Sequence, residues 1–234
     1  MNLRREGRVL RIGHRGAPAL APENTIPALA AALDHGVDLV EIDLIERGGS
    51  LWIAHSLEQI TPETPGLDEA LVFFSENAPN EVGLILDLKS GGIEAEVVEA
   101  LRRHGLLERA VAASFHAGAL RHLKELEPGL TTGYSYPLDR VGIAKTPLFQ
   151  PFIRAALAVL RPTLPPRIGR LLARARADAT MLNHALVSSR LVERCHARGV
   201  AVLAWTVEDE ESLRRVVAAG VDGVIVNDPR LFDV

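Results

Sequence analysis

Ile-Pro-Ala-Leu-Ala-Ala-Ala-Leu-Asp-His-Gly-Val-Asp-Leu-Val-Glu-Ile-Asp-Leu (26–44) decides the fold. Residues Ile26 to His35 have the spacing of a helix. Asn24 and Thr25 stand before it as cap candidates, and Pro27 is tolerated in the first turn. Gly36 stops the helix, and Leu39 to Leu44 enter a strand. The same grammar recurs near the other end, where Val-Ala-Ala-Gly-Val-Asp-Gly-Val (217–224) is again a helix end, a glycine stop and a strand entry. Both are ordinary αβ turns, and no function is attached to the echo.

Working outward, the alternation holds along most of the chain. Val9 to Gly13 reads as a strand. A Gly48-Gly49 turn sends Leu51 to His55 back as a hairpin excursion. Then come helix Leu67 to Asn77, strand Gly83 to Leu88, helix Ile93 to His104, strand Ala110 to Phe115, helix Gly118 to Leu126 and strand Leu130 to Tyr134. After an irregular or helical stretch the pattern resumes with strand Ala179 to Asn183, helix Ser189 to Arg198, strand Val200 to Thr206, helix Asp209 to Ala219 and strand Gly223 to Val226. Without the hairpin return, eight strands remain, nearly all followed by helix. Such alternation implies a parallel sheet, and eight units in one compact chain imply closure as a (β/α)₈ TIM barrel. No low-complexity linker divides residues 1–234, so one domain is expected.

Composition agrees with that fold. The 234 residues are 47% hydrophobic and 24% charged, enough apolar surface for a large core. A net charge of −4 gives no reason to expect nucleic-acid binding. Cys195 is the only cysteine, so no internal disulfide forms, and its helical context reads as an inert structural thiol. No secretory leader and no membrane span are evident, which makes the cytoplasm the default location.

In such a barrel the reactive groups belong at the C-terminal strand ends. The first strand ends at His14-Arg15-Gly16 and the second carries Glu41 and Asp43, with His55 ending its hairpin return. The third carries Asp87 and Lys89, and the seventh ends at Trp205-Thr206. Glu41 and Asp43, two apart on a strand, face the same way. Two carboxylates aimed into a low-dielectric space repel unless a cation holds them. Hard oxygen ligands favour Mg²⁺ or Ca²⁺ over Zn²⁺. Asp87 can complete that ligand set while Lys89 reaches a phosphoryl oxygen, although an internal Asp87–Lys89 ion pair explains the two equally well. Histidine serves as acid or base near neutrality, and Arg15 presents a fork suited to phosphate oxygens. Gly16 lets a ligand approach the backbone. Of the other histidines, His35, His104, His122 and His196 fall on helices, while His116 and His184 follow strands, where they could touch a ligand.

His14-Arg15-Gly16, Pro22-Glu23-Asn24-Thr25, Gly36-Val37-Asp38 and Glu41-Ile42-Asp43 resemble the opening of the glycerophosphodiester phosphodiesterase family. Leu203-Ala204-Trp205-Thr206-Val207 and Gly220 to Pro229 resemble its closing segment, and only residues 140–178 match poorly. The resemblance implies a barrel hydrolase that splits glycerophosphodiesters into glycerol 3-phosphate and an alcohol. By position it implies His14 and His55 as the acid/base pair, and Glu41, Asp43 and Asp87 as ligands of Mg²⁺ or Ca²⁺. Arg15 and Lys89 would hold the phosphate, Trp205 would line the glycerol side, and Glu23 would support or line the site. The family has His-Asp where this chain has His55-Ser56, and Glu-x-Lys where it has Asp87-Leu88-Lys89. Its insertion after the second histidine is also short here. The departures leave open a barrel that binds a phosphate ligand without turnover.

Residues 140–177 stand apart. They hold Arg140, Lys145, Arg154, Arg161, Arg167, Arg170, Arg174 and Arg176 with no acidic residue, among apolar groups such as those of 147–160. The default expectation is an outer helix with a solvated basic face and a lid-like loop. The other is a basic amphipathic stretch on an anionic membrane surface, suited to lysophospholipase D-type cleavage of a lysolipid.

Overall fold

A computed structural model describes residues 1–5, 7–137 and 150–233. Strands β1 (Leu10–Gly13), β2 (Leu39–Arg47), β4 (Gly83–Leu88), β5 (Ala110–Ser114), β6 (Thr131–Tyr136), β7 (Ala179–Asn183), β8 (Ala201–Val207) and β9 (Gly223–Val226) pair in parallel in that order. The barrel closes where β1 pairs with both β9 and β2. Strand β3 (Ser50–Trp52) turns back antiparallel on the end of β2. The hairpin is shorter than the sequence suggested: pairing stops at Trp52, and His55 lies beyond it.

Helices alternate with the strands: α1 (Ile26–Asp34), α2 (Leu67–Asn77), α3 (Glu94–Arg103), α4 (Ala117–Leu126), α7 (Ser189–His196) and α8 (Glu210–Ala218). Thr25, not Asn24, caps α1, its hydroxyl accepting from the Ala28 N–H. The stretch left irregular or helical on sequence contains α5 (Gln150–Thr163) and α6 (Pro165–Ala175). Pro165 sits in the first turn of α6, where its missing N–H costs nothing. Arg140 and Lys145 lie outside the described residues, as does the side chain of Arg154.

Strand parity divides the core in two. Val40, Ile42, Leu44, Leu84, Leu86 and Leu88 point outward under the helices. Leu10, Ile12, Leu39, Ile85, Val111, Ala113, Met181, Leu203 and Ile225 fill the barrel interior. Because side chains alternate along a strand, the inward set continues upward through His14, Glu41, Asp43, Asp87, Lys89, Phe115, Trp205 and Asn227. These arrive together at the C-terminal end.

The opposite end is sealed. Met1 and Leu3 pack into the inner cluster from below. Three aspartates, each just before a strand, clamp a neighbouring strand's backbone. Asp38 accepts from the Arg11 N–H at 2.8 Å, Asp178 from Thr132 at 2.8 Å, and Asp222 from Val202 at 2.7 Å. Each also meets a cation: Arg5 and Arg8 at Asp38, Lys124 at Asp178, and Arg4 at Asp222, where the His196 ring lies 2.8 Å away as well. The Asp38/Asp222 echo in the sequence is thus a repeated structural clamp.

Candidate active site

Among the described residues, three acids that the sequence analysis placed together are together. One carboxylate oxygen from each of Glu41, Asp43 and Asp87 lies within 4.8 Å of the others, and all three residues are buried. Burial and the nearby Asp43 charge push the Glu41 carboxyl up to about 8. Burial also disfavours the charge on Asp43. Lys89, a hydrogen bond from His55, and Arg15 outweigh it, holding Asp43 well below the usual carboxylate range.

The cations explain that difference. Lys89 Nζ lies 2.7 Å from Asp43 Oδ1 and pairs with Asp87 as well. Arg15 Nε lies 2.8 Å from Asp43 Oδ2. Burial penalises both cations, but the surrounding acids raise their pKa values above the ordinary range for their types. Two cations thus serve three carboxylates. Asp87 Oδ1 is left buried without a hydrogen-bond partner among the described residues. An orphaned oxygen beside two further carboxylates is what a hard divalent cation would satisfy, so these residues fit such an ion.

His14 sits on the loop between β1 and α1. Its Nδ1 lies 2.7 Å from Asn227 Oδ1, while Asn227 Nδ2 donates to Glu208 at 3.1 Å. The second contact orients the amide, so Asn227 Oδ1 accepts and His14 Nδ1 carries the proton. Nε2 is then the free lone pair, and it faces Glu41 Oε2 at 4.0 Å. Burial, and then the charge of Arg15, pull the His14 pKa down to about 4, so the ring is neutral at neutral pH.

The same loop has a constrained backbone. Arg15, Gly16 and Asn24 all have positive φ. A Cβ on Gly16 would meet Ala28 at 2.5 to 2.7 Å, so only glycine allows the loop to press on α1. In return, the Arg15 N–H donates to Glu41 Oε2 at 2.8 Å. Asn24 grips Asp43 twice, donating from Nδ2 to Oδ2 and accepting from the Asp43 N–H, each at 3.1 Å.

His55 approaches from the other side. Its Nδ1 lies 3.1 Å from Asp43 Oδ2 and 2.9 Å from an Arg15 guanidinium nitrogen. The position after it is Ser56, which supplies no carboxylate. Instead the His55 N–H donates to Gln59 Oε1 at 3.0 Å, and Gln59 Nε2 donates to Glu23 Oε1 at 2.7 Å. Glu23 Oε2 accepts from Arg15 at 2.7 Å, which makes it a brace for Arg15; it lies ahead of the Thr25 cap rather than in the helix's first turn.

Trp205 meets Phe115 edge-on with centroids 6.3 Å apart, and Lys89 Nζ stands 5.4 Å from the Phe115 centroid. The indole Nε1 is buried and makes no hydrogen bond among the described residues. Of the two other strand-end histidines, His116 lines a cleft beside the mouth, and His184 Nδ1 is engaged by Arg215 at 3.0 Å. Cys195 is buried in α7, and burial pushes its thiol up to about 12, in keeping with an inert role.

Asn24, Asn227 and Gln59 escaped the sequence reading as site residues. Asn24 read as a cap, and Asn227 is 213 residues from its partner. Only the strand-end position of Asn227 could have singled it out.

With two histidines flanking an acidic, cation-accepting floor, the mouth can bind a phosphoryl group and move protons on either side of it. The model of the glycerophosphoryl diester phosphodiesterase family matches residues 14–45 and 78–231. A glycerophosphodiester phosphodiesterase of Caldanaerobacter subterraneus subsp. tengcongensis is 27% identical over 258 residues, covering 95% of each chain. A crystal structure of a putative glycerophosphoryl diester phosphodiesterase from Silicibacter pomeroyi superposes with a TM-score of 0.78 at 24% identity, over 99% of this chain and 96% of that one. A phosphodiesterase from Oleispira antarctica, solved with the product sn-glycerol-3-phosphate, superposes with a TM-score of 0.73 at 24% identity, over 95% and 96%. Those two structures have the same barrel fold.

Proposed function

The chain belongs to the glycerophosphoryl diester phosphodiesterase family, a family of phosphoric diester hydrolases, and from that premise we propose that it hydrolyses glycerophosphodiesters to glycerol 3-phosphate and an alcohol. The observation that carries the reading is the convergence of His14, His55, Glu41, Asp43, Asp87, Arg15 and Lys89 at one barrel mouth. Glu41, Asp43 and Asp87 would hold a divalent cation, Mg²⁺ or Ca²⁺, which when bound supplies Lewis-acid stabilisation of charge on the phosphoryl oxygens.

The protein's own groups do the rest. Arg15 and Lys89, both set on Asp43 at the mouth, engage phosphate oxygens. Neutral His14, with Nδ1 tied to Asn227, presents Nε2 to accept a proton from the attacking hydroxyl or water. His55, on the opposite flank, supplies the proton that the leaving alkoxide needs. Trp205 and Phe115 form an apolar wall for the carbon skeleton of the glycerol.

Two of the three departures from the family pattern, those at Ser56 and Asp87, are accommodated locally. Gln59 and Asp43 position His55 although residue 56 is serine. Asp87, though shorter than glutamate, still brings an oxygen into the acidic cluster. Both points favour turnover over a barrel that only binds a phosphate ligand. A cleft of about 710 Å³ beside the mouth, lined by Phe115, Tyr136, Leu160, Leu171 and Arg174, gives a second reading, a lysolipid substrate, a place for its chain.

Release of glycerol 3-phosphate from glycerophosphocholine and glycerophosphoethanolamine tests the reading, with Mg²⁺, Ca²⁺ or EDTA and with the His14→Ala variant alongside. Turnover that needs the cation and His14 is expected. Cation-independent turnover would defeat the role given to the acids. Release of product from lysolipids alone would move the assignment to the second reading.

A further inference from the structure

The two most exposed large apolar side chains among the described residues lie on one helix, seven positions apart. Phe152 is 71% exposed and Val159 69%, whereas the next, Leu57, is 47%. Ala155 and Ala156 fall between them, also exposed, completing an i, i+3, i+4, i+7 stripe along the outside of α5. The inner side of α5 is separately occupied, since Leu157 and Leu160 pack against the outer core. This helix is apolar on both faces, which an ordinary solvated outer helix would not be.

Charge surrounds the stripe. Although the chain carries −4 overall, residues 150–177 contain six arginines and no acidic residue. Arg161, Arg167, Arg170 and Arg174 are exposed and form no ion pair among the described residues. Elsewhere, exposed arginines such as Arg102 and Arg103 on α3 or Arg214 on α8 are paired with acids. An exposed apolar stripe bordered by unpaired arginines complements an anionic, apolar-cored surface.

The position of α5 gives this a purpose. Leu160 and Leu171 share the cleft beside the mouth with Phe115, Tyr136 and Pro137, all at the C-terminal ends of β5 and β6. Phe115 in turn touches Trp205 within the site. The stripe therefore ends, at Val159, next to Leu160, which lines the cleft beside the active end.

We propose that α5 and the arginines of α6 form a peripheral docking surface for anionic lipid bilayers, which brings the barrel mouth to the membrane. Phe152 and Val159 enter the headgroup–acyl boundary while Arg161, Arg167, Arg170 and Arg174 meet lipid phosphates. Among the described residues no helix is long and apolar enough to cross a membrane, so the contact is interfacial.

Vesicle co-sedimentation tests this independently of catalysis, using phosphatidylcholine vesicles with and without about one-third phosphatidylglycerol. Binding to the anionic vesicles should exceed that to the zwitterionic ones by about tenfold or more and fall with added salt. Phe152→Asp with Val159→Asp should lower it by about tenfold, and Arg167→Glu with Arg170→Glu at least as far. Because all four positions are exposed, unchanged thermal melts should certify folding. Three outcomes would overturn the proposal: no sedimentation with anionic vesicles at low salt, wild-type binding by the Phe152/Val159 pair, or a dimer in solution that this pair dissociates. The last would assign the stripe to a second copy of the chain.

Discussion

Both ends of the barrel are built from aspartate and arginine, yet they use them in opposite ways. At the sealed end, Asp38, Asp178 and Asp222 each accept a strand N–H and each has a cation of its own. At the open end three buried carboxylates share Arg15 and Lys89. One end spends its charges on holding strands together. The other keeps them crowded and incompletely matched, with Glu41 forced toward its neutral form and Asp87 Oδ1 unpartnered. Charge satisfied within the fold contributes to stability, whereas charge left over is available to a ligand.

The strongest way to break this division is to alter the open end and see stability suffer. His14→Ala should lower kcat by about 10²- to 10⁴-fold, the usual weight of a general acid or base, while the thermal melt stays within a few degrees of the wild type. Activity is read by glycerol 3-phosphate release and folding by calorimetry. A large drop in Tm with little loss of kcat would reverse the assignment.

At the sealed end the reverse holds. Asp38→Ala leaves the Arg11 N–H and two arginines without their acceptor, and should cost about 1–3 kcal/mol of stability. Turnover per folded molecule should change less than twofold. Denaturant melts beside active-site titration would measure both.

pH sharpens the contrast. Glu41 keeps its proton to about 8 when folded but to 4.5 as a free carboxyl, so the folded state binds more protons between those values and stability falls as pH rises through them. His14, lowered from 6.5 to about 4, acts in the other direction, since the unfolded chain binds the proton there and stability rises with pH from 4 to 6.5. The two oppose one another up to pH 6.5, and above it Glu41 acts alone. Without divalent cation, the Tm should therefore decline from pH 6.5 to 8, and Glu41→Gln should flatten that decline. Added Mg²⁺ or Ca²⁺ should stabilise more at pH 8 than at pH 6.5, because binding must displace the Glu41 proton. A stabilisation equal at both values would count against Glu41 as a ligand.

The smallest effect is expected at Asn227. Asn227→Ala removes the acceptor that fixes the His14 tautomer, and should lower kcat by about tenfold while leaving KM nearly unchanged. Equal losses in both would make Asn227 a binding group.

Much of this was legible in the chain before any coordinates. The glycine stops and β-rich runs gave the barrel because each αβ turn is a local event. The strand-end residues gave the floor of the site because period-2 parity carries Glu41 to Asp43 and Asp87 to Lys89. What local reasoning could not supply was the pairing of distant loops. Asn24 looks like any helix cap until its left-handed backbone turns its amide onto Asp43. Gln59 accepts from the His55 backbone N–H, a contact that no spacing rule encodes. The boundaries of α5 and α6 were not legible, since the segment carries Pro162, Pro165 and Pro166, and a proline can end a helix or, as Pro165 does here, open one. The apolar residues of 152–160 were visible, but which of them faced outward was not.

The bond between His14 and Asn227 joins the first strand's loop to the residue just past the last strand. On the proposed mechanism, catalytic competence consequently waits on the synthesis of β9. A ribosome-bound chain lacking β9 has every proposed catalytic and cation-binding residue, yet neither the strand that closes β1 nor the amide that orients its histidine. Recovery of turnover during refolding thus reports ring closure, an event of high sequence separation and correspondingly slow search, and should lag the return of helical signal.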